Sequence, residues 1–220
     1  MTINTTIRRA VLAGALTAAG VSLVAVPTTA QAAPLAARTT PAASPADPIA
    51  DEAGQALVQL NQWLETGSQD ALAAYTGLRA SIASNVGERI DVDPARLVTA
   101  WRDADFDHQQ ALMAALGQVG VPYRRNTSRP GVSFDCSGLT SYAWSQAGFQ
   151  LTRSSSSQIR AAAKRTSDTA QAGDLVQYPG HVMMWLGVDK AIVHAIGRGR
   201  TVEVDHSSRR SLRFGDPTGD

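Results

Sequence analysis

Ser133-Phe134-Asp135-Cys136-Ser137-Gly138-Leu139-Thr140 sets the one cysteine of a 220-residue chain directly after an aspartate. Asp135 suits a helix N-cap and Gly148 the position just beyond a helix end. Between them Leu139, Tyr142, Ala143 and Ala147 form an apolar face, so the spacing predicts a helix over 136–147 with Cys136 in its first turn. Unpaired backbone N–H groups and the positive end of the helix dipole stabilise a thiolate at that position, and the same N–H groups can hold an oxyanion. A cysteine with no partner in its own chain is either an inert buried hydrophobe or a nucleophile. The inert kind belongs mid-helix among aliphatics, so the sequence favours the nucleophile.

Two histidines follow, in Gly180-His181-Val182 and Val193-His194-Ala195. Residues 174–178, 182–186, 191–195 and 201–204 are short Val-, Ile-, Leu- and Met-rich runs separated by Gly, Pro and Asp, the pattern of an antiparallel meander. Gly187-Val188-Asp189-Lys190 joins the second and third runs. If Gly187-Val188 is a two-residue turn, paired residue numbers sum to 375 and His181 faces His194, a register that glycine at the first loop position favours. If all four residues form the loop, the sum is 377 and the histidines are diagonal neighbours on one face. A one-residue slip would put them on opposite faces.

Upstream, the pattern is helical. Ile49, Ala53, Leu57, Leu60 and Leu64 recur at helical spacing up to Gly67; Leu72, Tyr75, Leu78 and Ile82 mark a second helix over 70–83. Asp93-Pro94 opens a short third helix to Trp101, and a fourth runs over 106–119 to Gly120. Trp63 and Trp101 are expected as core anchors. Helices followed by strands argue an α+β fold, with a helical N-terminal region at 49–103 and a second domain over 104–220.

At the start, Arg8 and Arg9 precede an apolar run to Val26, and Ala30-Gln31-Ala32 offers a cleavage site, so residues 1–32 read as a signal peptide. Gly14, Gly20 and Pro27 interrupt the run, which falls short of a membrane span. Residues 33–48, almost all Ala, Pro, Thr and Ser, read as a disordered linker. The formal charge of +1 conceals a division: residues 33–107 carry 5 Arg against 11 Asp and Glu, and residues 108–220 carry 13 Lys and Arg against 8. Opposite blocks suggest that the acidic helices of 49–103 dock on the basic half as an intramolecular cover, or that the basic half meets an anionic polymer.

The motifs resemble the NlpC/P60 family of papain-like cell-wall cysteine peptidases. They are Gly-Val-Pro-Tyr (120–123), Phe-Asp-Cys-Ser-Gly-Leu-Thr (134–140), Leu-Thr-Arg-Ser-Ser (151–155), Ala-Gly-Asp-Leu-Val (172–176), Gly-His-Val (180–182) and Val-His-Ala (193–195), in family order over about residues 106–216. The resemblance implies a papain-like NlpC-type domain, its nucleophile at a helix N-terminus packed on an antiparallel sheet. It implies a secreted, wall-associated bacterial hydrolase of peptidoglycan stem peptides, cutting between D-γ-glutamyl and diaminopimelate residues. Cys136 would be the nucleophile, His181 the general base and acid, and His194 the orienting group. Tyr123 would line the site and help hold the oxyanion, and Asp135 and Ser137 would contact the stem peptide.

No cofactor or metal is expected, since a Cys-His-His zinc site would have three ligands at scattered spacing. A monomer is expected, with no nucleic-acid partner and no membrane insertion after signal cleavage. The competing reading is a catalytically silent wall-binding or scaffold protein on the same fold. His108 and His206 lie outside every motif and read as surface residues. Arg124-Arg125-Asn126 follows Tyr123 where family members often carry Trp-Gly-Gly, which suggests a loop suited to an acidic peptide.

Overall fold

The computed structural model describes residues 47–219. The expected signal peptide and all of the linker before Asp47 lie outside the described residues. Asp47 opens the first helix, α1 (Pro48–Thr66): its carboxylate accepts the Ile49 N–H at 3.0 Å and also receives the Arg89 guanidinium at 2.7 and 3.0 Å. Ile49, Ala53, Ala56 and Leu60 form the buried stripe, and Gly67 ends the helix with a left-handed cap. Helix α2 (Gln69–Ile90) continues past the expected end near Ala83, because Val86 extends the buried stripe of Tyr75 and Ile82 for two further turns. Asp93 caps α3 (Pro94–Asp103) through the Ala95 N–H, and α4 (Phe106–Leu116) stops one turn short of Gly120.

The strand-bearing half begins with a short hairpin, β1 (Ser128–Arg129) and β2 (Ser133–Phe134), which delivers the chain into α5 (Cys136–Gln146). A helix absent from the sequence reading, α6 (Ser155–Ala161), comes next. The main sheet consists of β3 (Ala163–Arg165), β4 (Leu175–Tyr178), β5 (His181–Trp185), β6 (Ala191–Ala195), β7 (Val202–His206) and β8 (Arg213–Asp216). Its order is β3-β8-β4-β5-β6-β7, antiparallel throughout. The arrangement is α+β, as the helix-then-strand order predicts.

One hydrophobic core joins the two halves. Ile49, Leu60, Ile82, Leu97 and Trp101 belong to the same buried cluster as Leu112, Leu139, Trp144, Val182 and Val193. Helix α1 lies against α2 and α4, α4 against α5, α5 against β5, and α2 against β7. Trp101 is fully buried and donates its indole N–H to the Leu186 carbonyl at 2.9 Å, tying α3 to the end of β5. Trp63 is only half-buried and packs edge-on against Phe106.

The β5–β6 register corrects the one that glycine at position 187 favours. Met184 faces Val193 and Trp185 faces Ile192, a sum of 377, and the Leu186 N–H donates to the Ala191 carbonyl at 2.9 Å. All four residues 187–190 therefore form the loop. Packing against α3 decides it: a Cβ at Gly187 would lie 2.7 Å from the Ala100 Cβ, Arg96 forms an ion pair with Asp189, and Asp189 and Lys190 take left-handed φ of 45° and 58°. Tertiary contact here overrides local turn preference.

Candidate active site

Helix α5 presents Cys136 at its first position. The Asp135 carboxylate accepts the Gly138 N–H at 2.8 Å and its carbonyl accepts the Leu139 N–H at 2.9 Å. Among the described residues, the N–H groups of Cys136 and Ser137 have no hydrogen-bond partner, as expected of a first helical turn. Gly138 has to be glycine for close approach: a Cβ there would stand 2.1 Å from the Thr127 carbonyl oxygen. Gly148, at φ 89°, follows the helix as its sequence position predicts, and the Phe149 N–H bonds back to the Trp144 carbonyl.

Cys136 lines a cleft of about 580 Å³ with Tyr123, Arg125, Asp135, Arg153 and Gly180, the last being the residue before His181. Helices α1 to α3 contribute none of the described lining residues. They dock on the strand-bearing half, but their apolar faces are buried in the shared core, so the expected cover over the cleft is not what they form.

His181 and His194 come together. In the 377 register they are diagonal neighbours on one face of the sheet, and His181 Nε2 lies 3.0 Å from His194 Nδ1. Burial, then the neighbouring His194 and the Arg209 guanidinium, push His181 down to about 4. Burial pushes His194 down to about 4 as well, with Asp205 and Glu203 opposing and Arg200 reinforcing the shift. Both rings are therefore neutral near pH 7. One proton occupies the shared bond, so two tautomeric arrangements are available. If His181 Nε2–H donates, His181 Nδ1 is free to accept a proton and the second proton of the pair sits on His194 Nε2. That nitrogen is buried without a hydrogen-bond partner. No hydrogen bond joins the Cys136 sulfur to either ring among the described residues, which matches the looser geometry usual before substrate binds.

Asp135 and Ser137 are nearly buried and already engaged. Arg153, unassigned by the sequence reading although its motif was noted, donates to Ser137 Oγ at 2.7 Å and to Asp135 Oδ2 at 2.8 Å. The same Asp135 oxygen accepts the Asn126 N–H at 2.6 Å, so one carboxylate caps α5 and pins the loop after Tyr123. Gln158 of α6 was likewise missed. It is buried, donating to the carbonyls of Ser137 and Thr152 and accepting from Thr140, which fixes the start of α5. Tyr123 is half-exposed beside the cysteine; its hydroxyl is held above the usual tyrosine value by burial first, then by Cys136 and Asp135.

His108 is a correction: it is fully buried rather than on the surface, because α4 passes through the centre of the core. Its Nε2 lies 3.1 Å from Asp174 Oδ1 and 3.3 Å from Asp216 Oδ1. These three residues could in principle hold a metal ion. Their oxygens are, however, already employed: Asp174 accepts the Gln171 N–H, and Asp216 accepts Thr218 and pairs with Arg165. The cluster acts as a polar strut between α4, β4 and β8. His206 is exposed, as the sequence suggests.

Residues 120–213 match the model of the NlpC/P60 family. A probable endopeptidase of Corynebacterium glutamicum (strain R) is 33% identical over 141 residues, covering 62% of this chain and 60% of that protein. The bifunctional muramidase/DL-endopeptidase CwlT of Bacillus subtilis (strain 168) is 36% identical over 99 residues, covering 44% of this chain and 28% of its own length. The chain thus spans at most about three fifths of these curated relatives. Among solved structures, the P60 domain from M. avium subspecies paratuberculosis antigen MAP1204 is 28% identical, with a TM-score of 0.44, over 50% of this chain and 93% of that one.

Proposed function

We propose that the protein, whose residues 120–213 match the NlpC/P60 family model, is a secreted cysteine endopeptidase that hydrolyses stem-peptide amide bonds of peptidoglycan, between D-γ-glutamyl and diaminopimelate residues. Cys136 is the nucleophile, His181 the base and acid, and His194 the group that orients His181. The observation that carries this reading is the 3.0 Å bond from His181 Nε2 to His194 Nδ1, on a strand whose preceding residue borders the Cys136 cleft.

In the first half-reaction the Cys136 sulfur attacks the amide carbon while His181 Nδ1 takes the thiol proton. The N–H groups of Cys136 and Ser137 and the Tyr123 hydroxyl stabilise the oxyanion. Collapse breaks the C–N bond, His181 passes its proton to the departing amine, and a thioester remains. Water, deprotonated by His181, then attacks the thioester, releasing the carboxylic acid and restoring the thiol. His194 accepts the His181 Nε2–H throughout, which fixes the ring and stabilises the transient imidazolium.

The test is mass spectrometry of diaminopimelate-containing muropeptides incubated with the protein and with Cys136→Ala. Products formed only with the intact cysteine support the reading and identify the bond. Absence of products from both, with wall binding retained by both, would replace it with a non-catalytic wall-binding role.

A further inference from the structure

Two guanidinium groups beside the site are matched by carboxylates. Arg153 is held by Asp135 and Arg200 by Glu203. Arg125 and Arg198 are not: both are exposed, and neither makes an ion pair among the described residues.

Both are positioned by backbone contacts around Tyr123. On one side, the Asn126 N–H bonded to Asp135 holds the following loop in place, with Asn126 in a left-handed conformation at φ 59°, and Arg125 lines the Cys136 cleft. On the other, the Tyr123 N–H donates to the Arg200 carbonyl at 2.9 Å, and the Arg200 N–H donates to the Gly197 carbonyl at 3.1 Å. Arg198 is in the turn so formed. Both guanidiniums act on the Tyr123 hydroxyl, each drawing its proton affinity downward. Among the described residues, the one acid lining the cleft, Asp135, is nearly buried and neutralised by Arg153. The Tyr123 side of the cleft therefore has two guanidinium groups near it with no carboxylate partner among the described residues, Arg125 in the lining and Arg198 in the turn bonded to Tyr123, and guanidinium is the group type that pairs a carboxylate.

We infer that Arg125 and Arg198 form a carboxylate-recognition site on the Tyr123 side of the cleft, which selects stem peptides whose glutamyl residue at the scissile bond carries a free α-carboxylate over those in which that group is a carboxamide. This rests on the endopeptidase reading. A γ-linked glutamyl unit leaves its α-carboxylate free, a few bonds from the carbonyl under attack. Amidation keeps the shape but removes the charge and turns one acceptor oxygen into a donor NH2, so charge and acceptor capacity separate the two substrates.

The test compares kcat/KM on two synthetic stem peptides that differ only in α-carboxylate or α-carboxamide, using the full protein, Arg125→Gln, Arg198→Gln and the double variant. We expect about tenfold preference for the acid at low salt, shrinking as ionic strength rises. The double variant brings the ratio close to one, chiefly by raising KM for the acid, and Arg125→Lys recovers part of it. Circular dichroism verifies that each variant is folded. An unchanged ratio in the folded double variant overturns the inference and leaves the endopeptidase reading standing. Equal cleavage of both peptides by the unaltered protein does the same. Failure of the unaltered protein to cleave either peptide removes both.

Discussion

His194 stands diagonally from His181 across β5 and β6, and the two rings still meet at 3.0 Å through Nδ1 and Nε2. The diagonal offset lets one ring address the other edge-on, at an interplanar angle of 74°. Replacing His194 therefore alters which His181 nitrogen carries the proton. His194→Leu should lower kcat by about 10²-fold or more with the fold intact, and His194→Gln, which retains an acceptor, should lower it less. Steady-state kinetics on a purified muropeptide, alongside near-UV circular dichroism, checks both.

The buried histidines make stability depend on pH. Each has an ordinary pKa of 6.5 that burial pushes down to about 4 in the fold, so between those values the unfolded chain binds more protons than the folded one. The stabilisation is complete above about pH 6.5 and is lost as the pH falls toward 4. The loss should be several kcal/mol for the pair. Urea midpoints measured from pH 7 to 4 should fall, and a folded His194→Leu variant should fall less steeply.

Asp135 caps α5, anchors Asn126 and pairs with Arg153. Asp135→Asn keeps the oxygen that caps Gly138 but turns an NH2 toward the Asn126 N–H and should cost about 1–2 kcal/mol; Asp135→Ala loses the cap as well, costing about 2–3 kcal/mol. The Arg153 pair adds little to either figure because its guanidinium is half-exposed. Equal losses in the two variants would remove the capping role.

Trp101 fills the junction of α3 with the sheet. Trp101→Ala should cost about 3–5 kcal/mol, combining lost burial, a residual cavity and an unpaired Leu186 carbonyl. A lowered urea midpoint with an unchanged slope is the expected result.

The site was legible where chemistry and local structure coincide. Asp135 and Gly148 bracket α5 because capping preferences act within a few residues. His181 and His194 could be set on one face from strand periodicity alone, although the loop that fixes their offset depends on Ala100 and Arg96, far away in the chain. Features held by distant polar partners were hidden. Helix α6 is built largely of Ser, Gln and Arg and is secured by Gln158 reaching the α5 carbonyl of Ser137. Strand β8 contains Gly215 and Asp216 and is stabilised by pairing with β3 and β4 on both sides. His108 sits in a polar-looking segment, and nothing within it announces Asp174 and Asp216 as its neighbours.

The shared core also limits how this protein can be divided. Because Leu97 and Trp101 pack in one cluster with Leu112, Leu139 and Val193, a protease cutting near residue 103 would not release a ready-made catalytic fragment. It would strip one wall from the hydrophobic interior and expose α4, whose His108, Leu112 and Leu116 are fully buried. Such a cut should end activity rather than unleash it. The leading helices are thereby a point at which a single proteolytic event can retire the Cys136 site.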